Sequence, residues 1–255
     1  MDREKLLSLF DLTGRVAIVT GGTRGIGRAI AEGLLSCGAK VAVASRKADA
    51  CDEAAAQLSS LGEVIGVPTH MGDLDAVSGL VDRTVDQWGR IDIVVNNAAN
   101  ALTLPLGELT PEAWAKSLDT NLRGPVFLVE RALPYLEKSG NGAVLNVISA
   151  GAFLFSAGTA MYSAGKGGLM SITRAQAAAF APRGIRVNAL APGTVDTDMV
   201  RNTGPEAVES MKNSSFMKRA ADADEMVGPA LLLCSDLGSF ITGQVIIADG
   251  GLTPH

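Results

Sequence analysis

Tyr162 and Lys166 are the residues whose types and spacing most directly suggest chemistry in this chain. Four residues apart on a helix, they share one face, so an ammonium group can lie beside a phenol. Because a nearby positive charge favours the phenolate, we expect it to lower the pKa of Tyr162 and make this side chain a proton donor and acceptor. Ser149 precedes the pair in an uncharged stretch. The alternative is an ordinary surface pair, for which this spacing is also common.

A glycine-rich segment at residues 20–27 follows a β-branched run and precedes a helical pattern. Glycine permits positive φ and lets the backbone approach a phosphate closely, and the helix start that follows offers free N–H groups and a positive dipole end. A turn without a ligand is the alternative. We predict a dinucleotide-binding loop that contains Gly21, Thr23, Arg24, Gly25, Ile26 and Gly27.

The residues after the second predicted strand indicate which dinucleotide binds. NAD sites carry Asp or Glu there to accept from the ribose 2′-OH, whereas this chain has Ser45 and Arg46 and no acid until Asp49. Arg46 can pair with a 2′-phosphate, and Arg24 in the glycine loop can reach the same group. We therefore predict NADP(H) in preference to NAD(H). The alternative is that Arg46 and Lys47 only begin a solvated helix.

Composition argues against several other chemistries. The chain has 255 residues with 22 Lys+Arg and 27 Asp+Glu, and its net charge of −5 argues against non-specific nucleic-acid binding. Two histidines, His70 and His255, argue against a Ser-His-Asp triad or a histidine-rich zinc site, so no metal is expected. Cys37, Cys51 and Cys234 match no metal or CxxC motif and are expected to be reduced thiols.

The stretch between Lys138 and Lys166 lacks charged residues and is long enough to cross a bilayer. Polar residues and glycines interrupt it repeatedly, which is costly in lipid, so a buried strand, a loop and a helix start explain it better. The apolar run at 6–10 is too short for a signal peptide and has no cleavage site. We expect a cytoplasmic protein without a membrane or nucleic-acid partner.

These residues must be positioned by short β-branched runs that alternate with longer helical patterns. Continuous apolar runs are typical of parallel strands buried on both faces, and the β–α order predicts an α/β fold with a doubly wound parallel β-sheet (Rossmann fold) and helices on both faces. Residues 1–255 contain no linker and are expected to form one domain, with dinucleotide binding in the N-terminal half and catalysis and substrate binding in the C-terminal half. The expected strands are 16–19, 41–43, 64–67, 91–95, 144–148, 185–190 and 245–248, and the expected helices include 26–37, 49–61, 76–88 and 161–180, with further helix starts at Thr110-Pro111 and at the capping box of Asp222 and Glu225.

An ordered set of motifs resembles the single-domain branch of the short-chain dehydrogenase/reductase family over about residues 12–251. The resemblance implies a 3-oxoacyl reductase-like or carbonyl reductase-like enzyme, which transfers a hydride between NADP(H) and a carbonyl or secondary alcohol. The motifs are the glycine loop, Asp73-Leu74, Asn96-Asn97-Ala98-Ala99, Asn121, Ser149, Tyr162 with Lys166, Pro192-Gly193-Thr194 with Thr197, and Asp249-Gly250-Gly251.

The resemblance also implies a role for each matching residue. Tyr162 would exchange a proton with the substrate oxygen, to which Ser149 would hydrogen-bond. Lys166 would hold the nicotinamide ribose hydroxyls, and Asn121 would position a water molecule that links Lys166 to solvent. The remaining implied cofactor contacts are Asp73 and Leu74 at the adenine, Asn97 and Ala98 at the ribose, and the segment Pro192, Gly193, Thr194 and Thr197 at the carboxamide and phosphates.

Two positions depart from the family pattern. Ala99 stands where the family usually has Gly, and Gly165 stands where it commonly has Ser. Glycine inside a helix is unfavourable by roughly 0.5–1 kcal/mol relative to alanine. Close packing of another helix or of the substrate against Gly165 would explain that residue.

The substrate side is expected to be largely apolar, although ordinary core packing explains the same residues equally well. The segment 195–220 contains several methionines and would form a mobile lid. Only Arg174 on the predicted catalytic helix could dock an acidic acyl carrier protein, and Arg123 and Arg131 leave that partner open. The resemblance implies a homotetramer built as a dimer of dimers. The candidate substrate residues are Ala150, Phe153, Phe155 and Met199.

Other functions fit part of this pattern. A redox-inactive NADP(H)-binding regulatory or structural protein would keep the fold, but the complete set of Ser149, Tyr162, Lys166 and Asn121 argues against it. An epimerase or dehydratase of the family's larger branch is disfavoured by the short length and the glycine spacing. An α/β-hydrolase is disfavoured because no Gly-x-Ser-x-Gly elbow occurs.

Overall fold

The computed structural model describes residues 1–154 and 157–253. Seven parallel strands form one sheet in the order β3-β2-β1-β4-β5-β6-β7. This order confirms the predicted doubly wound sheet, and it reverses between β1 and β4, where such folds bind ligands. The strands are β1 (Val16–Thr20), β2 (Lys40–Ser45), β3 (Val64–Pro68), β4 (Ile93–Asn96), β5 (Gly142–Val147), β6 (Ile185–Pro192) and β7 (Val245–Ala248).

Helices cover both faces of the sheet. Successive residues of β1 point to opposite sides, because Ala17 and Val19 pack with α2, α3 and α10, whereas Ile18 packs with α4, α6 and α7. The central strands are therefore buried on both faces, as their continuous apolar sequences predict. The α-helices are α1 (Arg3–Ser8), α2 (Gly25–Ser36), α3 (Ala48–Leu58), α4 (Leu74–Trp88), α5 (Pro111–Leu118), α6 (Gly124–Ser139), α7 (Ala160–Phe180), α8 (Asp198–Arg201), α9 (Pro205–Ser214) and α10 (Val227–Cys234).

The predicted helix starts are found where their capping residues stand. Thr110 accepts a hydrogen bond from the Ala113 N–H at 3.2 Å, directly before Pro111. Glu225 accepts from the Asp222 N–H at 2.9 Å, which completes the capping box and opens a short 3-10 turn at Ala223–Met226 that leads into α10. Side-chain capping is a local property, and this explains why it could be predicted.

Strand and helix limits differ from the predictions at several positions. The fourth strand begins at Ile93 rather than at residue 91, because Arg90 and Asp92 pair at 2.6 Å before it and Asp92 accepts from the Val16 N–H at 2.8 Å. The sixth strand continues to Pro192, and α3 already ends at Leu58. A π-helix at Asp119–Arg123, which no sequence pattern indicated, joins α5 to α6.

Candidate active site

The carboxyl ends of β1, β4, β5 and β6 meet at one edge of the sheet because all of the strands are parallel. Most of the residues predicted from the sequence lie in the loops that leave this edge. The glycine loop follows β1, and Asn97 and Ala98 follow β4. Ser149 comes after Ile148, the first residue beyond the end of β5. The fold therefore brings these separate motifs together, as expected for the ligand-binding edge of such a sheet.

Thr20 and Asn97 hold the glycine loop against the end of β4. The Thr20 hydroxyl accepts from the N–H groups of Asn97 and Ala98 at 3.0 and 3.1 Å. The side-chain nitrogen of Asn97 donates to the carbonyls of Thr20 and Gly21 at 2.9 and 3.2 Å. The side chain of Asn97 therefore braces the loop. Thr20 was not among the predicted site residues, although a hydroxyl at a strand end before a glycine loop was a usable signal.

The glycines at this loop are required by close approaches and by backbone conformation. Gly21 and Gly25 adopt φ values of +67° and +54°, and a Cβ on Gly27 would overlap the Asn97 amide and the Gly21 carbonyl. The helix α2 starts at Gly25 without a side-chain cap from Arg24. Its first N–H groups are thus available to an anion at the edge of the sheet.

The charged residue of this loop, Arg24, forms an ion pair with a residue of α8. Its guanidinium pairs with Asp198 of α8 at 3.2 Å, and its side chain is 72% exposed. The predicted contact of Arg24 with a 2′-phosphate would require this exposed pair to open. Such pairs contribute little stability, so the rearrangement is inexpensive.

The end of β2 carries Ser45 and the exposed side chain of Arg46. The Ser45 hydroxyl lies 3.5 Å from the Cys51 sulfur. Lys47 takes the N-cap position of α3 but provides no side-chain hydrogen bond, so the first N–H groups of that helix are not capped by it. Two polar side chains and an uncapped helix start therefore lie together where the 2′-phosphate was predicted.

Asp73 and Leu74 lie at the start of α4. The Asp73 Oδ1 atom caps this helix by accepting from the N–H groups of Asp75 and Ala76 at 2.9 and 3.2 Å. The Asp73 side chain is exposed and Leu74 is half-buried. Capping uses one carboxylate oxygen of Asp73 and fixes the direction of the side chain.

The end of β6 and the segment after it carry the predicted residues Pro192, Gly193, Thr194 and Thr197. A Cβ on Gly193 would lie 2.7 Å from the Cα of Asp249, which explains the glycine by close backbone approach. The methyl group of Thr197 faces Gly25, where an added Cβ would lie 3.2 Å away. The segment after Pro192 thus borders the glycine loop directly.

Ser149 and Tyr162 lie side by side. A Cβ built on Gly151 would lie 3.3 Å from the Ser149 hydroxyl oxygen and 3.9 Å from a ring carbon of Tyr162, so both side chains border the same point. The Ser149 hydroxyl also accepts from the Gly151 N–H at 3.0 Å. Burial raises the pKa of Tyr162, and a hydrogen bond with Ser149 opposes this rise. The predicted lowering of the Tyr162 pKa is therefore wrong for this structure, because burial outweighs the neighbouring groups.

Lys166 is only 2% exposed, and its ammonium group donates to the Val147 carbonyl at 2.7 Å. Its nitrogen lies 5.8 Å from the centre of the Tyr162 ring. Burial lowers the pKa of Lys166 to about 8. An ammonium group has three donors, and within the described residues Val147 takes one of them. The others are available to a bound molecule.

Asn121 lies in the π-helix and is completely buried. Its carboxamide makes two hydrogen bonds with one residue, accepting from the Asn100 N–H at 2.9 Å and donating to the Asn100 carbonyl at 2.8 Å. Asn121 therefore fixes the chain that follows Asn97 and Ala98. Asn100 was not predicted from the sequence, because its backbone, and not its side chain, makes this contact.

The predicted substrate residues have different environments. Ala150 is buried, and Phe153 packs against the cluster formed by Ile148 and Leu169. Met199 is 42% exposed on α8. Phe155 lies outside the described residues. Among the residues that the structure describes, no three His, Cys, Asp or Glu side chains are grouped so that they could hold a metal ion, and no helix in that part of the chain has the length and apolarity to cross a membrane.

Comparison with known proteins decides the family. A family model described as enoyl-(acyl carrier protein) reductase matches residues 21–253. The human dehydrogenase/reductase SDR family member 4 is 39% identical over 244 residues, which cover 94% of this chain and 88% of that protein. The chain belongs to the short-chain dehydrogenase/reductase family. As a member of the family, it is an NAD(P)-dependent oxidoreductase that acts on alcohol and carbonyl groups.

Two other members of the short-chain dehydrogenase/reductase family are similar over nearly the whole chain. The 3-oxoacyl-[acyl-carrier-protein] reductase of Synechocystis is 36% identical over 245 residues, covering 94% of this chain and 98% of that protein. The crystal structure of a 3-oxoacyl (acyl-carrier-protein) reductase from Agrobacterium tumefaciens with NADP bound matches with a TM-score of 0.90 and 33% identity. It covers 96% of this chain and 97% of the other.

Proposed function

We propose that this enzyme transfers a hydride between NADP(H) and a ketone or secondary alcohol, with Tyr162 as the proton donor and acceptor. The observation that carries the proposal is the arrangement of Ser149, Tyr162 and Lys166 beside the glycine loop. Tyr162 and Ser149 are neighbours, and Lys166 is buried with N–H donors to spare. Glycines 21, 25 and 27 allow this loop to pack closely against its neighbours, and the uncapped N–H groups at the start of α2 can bind a phosphate.

Each residue contributes a separate step. When bound, the nicotinamide supplies or accepts the hydride. Ser149 donates a hydrogen bond to the substrate oxygen and orients it toward Tyr162. Because its pKa is raised, Tyr162 is a neutral phenol at pH 7 and is ready to give its proton to a carbonyl oxygen. The ammonium group of Lys166 binds the ribose hydroxyls and stabilises the phenolate that remains.

The preference for NADP(H) over NAD(H) rests on the end of β2. Arg46 is exposed there and has no acidic neighbour before Asp49, and α3 begins without a side-chain cap. A guanidinium and free helix N–H groups favour a doubly charged phosphate. The similarity to reductases whose crystal structures contain NADP supports the same preference.

The substrate is proposed to be largely apolar, with a 3-oxoacyl thioester or a ketone as candidate classes. The segment 195–220 presents Met199, Phe216 and Met217 to solvent on one side of the site. The 3-oxoacyl reductases among the relatives act on thioesters, whereas a tropinone reductase-like protein is named for a ketone.

The most direct experiment measures NADPH oxidation with a panel of ketones, quinones and 3-oxoacyl thioesters. Turnover is expected with at least one class, and Tyr162→Phe is expected to abolish it while NADPH binding, followed by fluorescence, stays within about twofold. Turnover retained by Tyr162→Phe would exclude Tyr162 as the proton donor. NADPH binding without turnover on any compound would favour the redox-inactive protein instead.

We also propose a cytoplasmic homotetramer. The three free cysteines suit a reducing compartment. Ala175, Ala178 and Ala179 form an exposed row of small residues on α7, and Trp114 on α5, a helix that packs against α7, is 52% exposed. Small exposed residues permit close helix contact between copies. Light scattering during size-exclusion chromatography is expected to give four chains, and a monomer would contradict the proposal.

A further inference from the structure

Gly165 lies on the catalytic helix α7 between Tyr162 and Lys166, where α7 meets the π-helix. A Cβ on Gly165 would be 2.9 Å from the Cβ of Asn121 and 3.5 Å from a methyl group of Leu118. The first distance is shorter than neighbouring side chains tolerate. Gly168, one turn later, has a similar relation to Leu122 at 3.0 Å. The π-helix therefore supplies the close packing that explains a glycine at position 165.

The neighbour that Gly165 accommodates is itself fixed. Asn121 has no exposed surface and binds both the N–H and the carbonyl of Asn100. Hydrogen bonds weaken steeply when their geometry is distorted, so a shift of Asn121 by several tenths of an ångström would loosen this pair. The chain from Asn97 to Asn100 would then lose its attachment to the π-helix.

The π-helix cannot move easily away from α7, because residues at its other side contact the loop after β3. A Cβ on Gly124 would overlap the Met71 carbonyl, so this glycine already touches the loop after β3. Arg123 donates to the Gly72 carbonyl at 3.1 Å and pairs with Asp119 at 2.8 Å. A side chain added at Gly165 would therefore displace Asn121 before it displaced the π-helix as a whole.

We propose that Gly165 is a positioning residue for the reaction. It allows α7 to approach the π-helix closely while Asn121 keeps its two hydrogen bonds to Asn100 and so holds residues 97–100 in place. This inference rests on the proposed function for its catalytic consequence, whereas the contact between Asn121 and Asn100 can be tested without turnover. The helix retains a glycine at this position despite its unfavourable helix propensity because the contact leaves no room for a methyl group.

The test compares Gly165→Ala with Gly167→Ala on the same helix. A Cβ at Gly167 meets nothing within 4 Å, so this control should keep wild-type kinetics and gain stability from helix propensity. Gly165→Ala is expected to lower kcat about tenfold while the KM of the carbonyl substrate stays within about twofold. Amide hydrogen exchange at Asn100 is expected to become at least about tenfold faster, with α7 amides such as Leu169 unchanged.

An Asn100 amide that stays as protected in Gly165→Ala as in the wild type, with unchanged kcat, would overturn the inference. Faster exchange at Asn100 in a protein that turns over no compound would support the contact and reject the proposed function, so the two failures are distinguishable. If Gly165→Ala does not fold, Asn121→Gly with Gly165→Ala provides a second test. Removal of the Asn121 Cβ should make the alanine harmless, and a double variant less stable than Asn121→Gly alone would also overturn the inference.

Discussion

The helix α7 and the segment 195–220 both carry residues of the proposed site but are built in opposite ways. Eight of the 21 residues of α7 are buried, including Gly165 and Lys166. In contrast, α8 and α9 contain no buried residue, and Phe216 is 72% exposed beside them. The helix α7 is therefore part of the core, whereas the segment 195–220 is held mainly at its two ends.

The ends of the segment 195–220 are tied to the sheet by backbone hydrogen bonds. Ala221 donates to the Thr194 carbonyl at 2.9 Å and accepts from the Asp196 N–H at 2.8 Å, so the base of the segment is closed. Met217 donates to the Gly250 carbonyl at 3.0 Å. Between these points, the segment can move without opening the core. The comparison indicates that the residues proposed for proton transfer lie in rigid packing, whereas those proposed for substrate contact lie on a more adaptable surface.

The largest effect is expected in the rigid region, from Lys166→Met. Loss of the ammonium group removes a ligand of the cofactor ribose and the charge that stabilises the Tyr162 phenolate, so kcat should fall about 10³-fold. Steady-state NADPH oxidation measures this. The Arg83→Ala variant on the exposed face of α4 removes one positive charge elsewhere and should leave kcat unchanged.

Lys166→Met is also expected to change how the stability of the cofactor-free protein depends on pH. The Lys166 pKa falls from 10.5 to about 8 in the folded state, so the unfolded chain binds more protons between these pH values. Stability should therefore rise with pH across this window, by up to about 3 kcal/mol at about 1.4 kcal/mol for each pH unit. Because burial also raises the pKa of Cys234 to about 12, which lowers stability at high pH, the Lys166 contribution is measured as the change in urea-denaturation stability from pH 7.5 to 10 in the wild type minus that in Lys166→Met. An equal rise in Lys166→Met would assign it to another group.

An intermediate effect is expected at the cofactor end, from Arg46→Ala. Loss of a charge-assisted hydrogen bond to the 2′-phosphate should raise the Kd of NADPH about tenfold or more and leave the Kd of NADH unchanged. Fluorescence titration with both cofactors measures this, and Arg83→Ala again controls for net charge. Equal weakening of NADPH and NADH would remove Arg46 from the 2′-phosphate site.

The smallest effect is expected in the adaptable segment, from Met199→Ala and Phe216→Ala. Each exposed side chain would contribute part of an apolar contact, so the KM of an apolar ketone should rise about three- to tenfold, with the NADPH Kd unchanged. A small ketone that does not reach the segment is the matched control substrate. A loss of kcat as large as that of Lys166→Met would show that the segment belongs to the rigid catalytic structure, and the contrast between the two regions would fail.

The sequence predicted the fold better than the environment of the candidate site residues. Glycine spacing, strand endings and helix caps are local features, and the strand order confirmed the fold that they indicate. The predicted direction of the Tyr162 pKa shift was wrong. The spacing of Tyr162 and Lys166 along a helix does not indicate how deeply the two side chains are buried. The role of Asn97 in bracing Thr20 and Gly21 depends on contacts 76 or 77 residues apart in the chain and was also missed.

By itself, the sequence determined which groups are present and where each element starts, since residue types, glycines and caps act within a few neighbours. Only the tertiary structure decided how those groups behave. It buried Lys166 so that its pKa falls to about 8, formed the π-helix that carries Asn121, and placed Gly165 against it. Burial and close approach arise from elements distant in the chain, and no spacing within one helix encodes them.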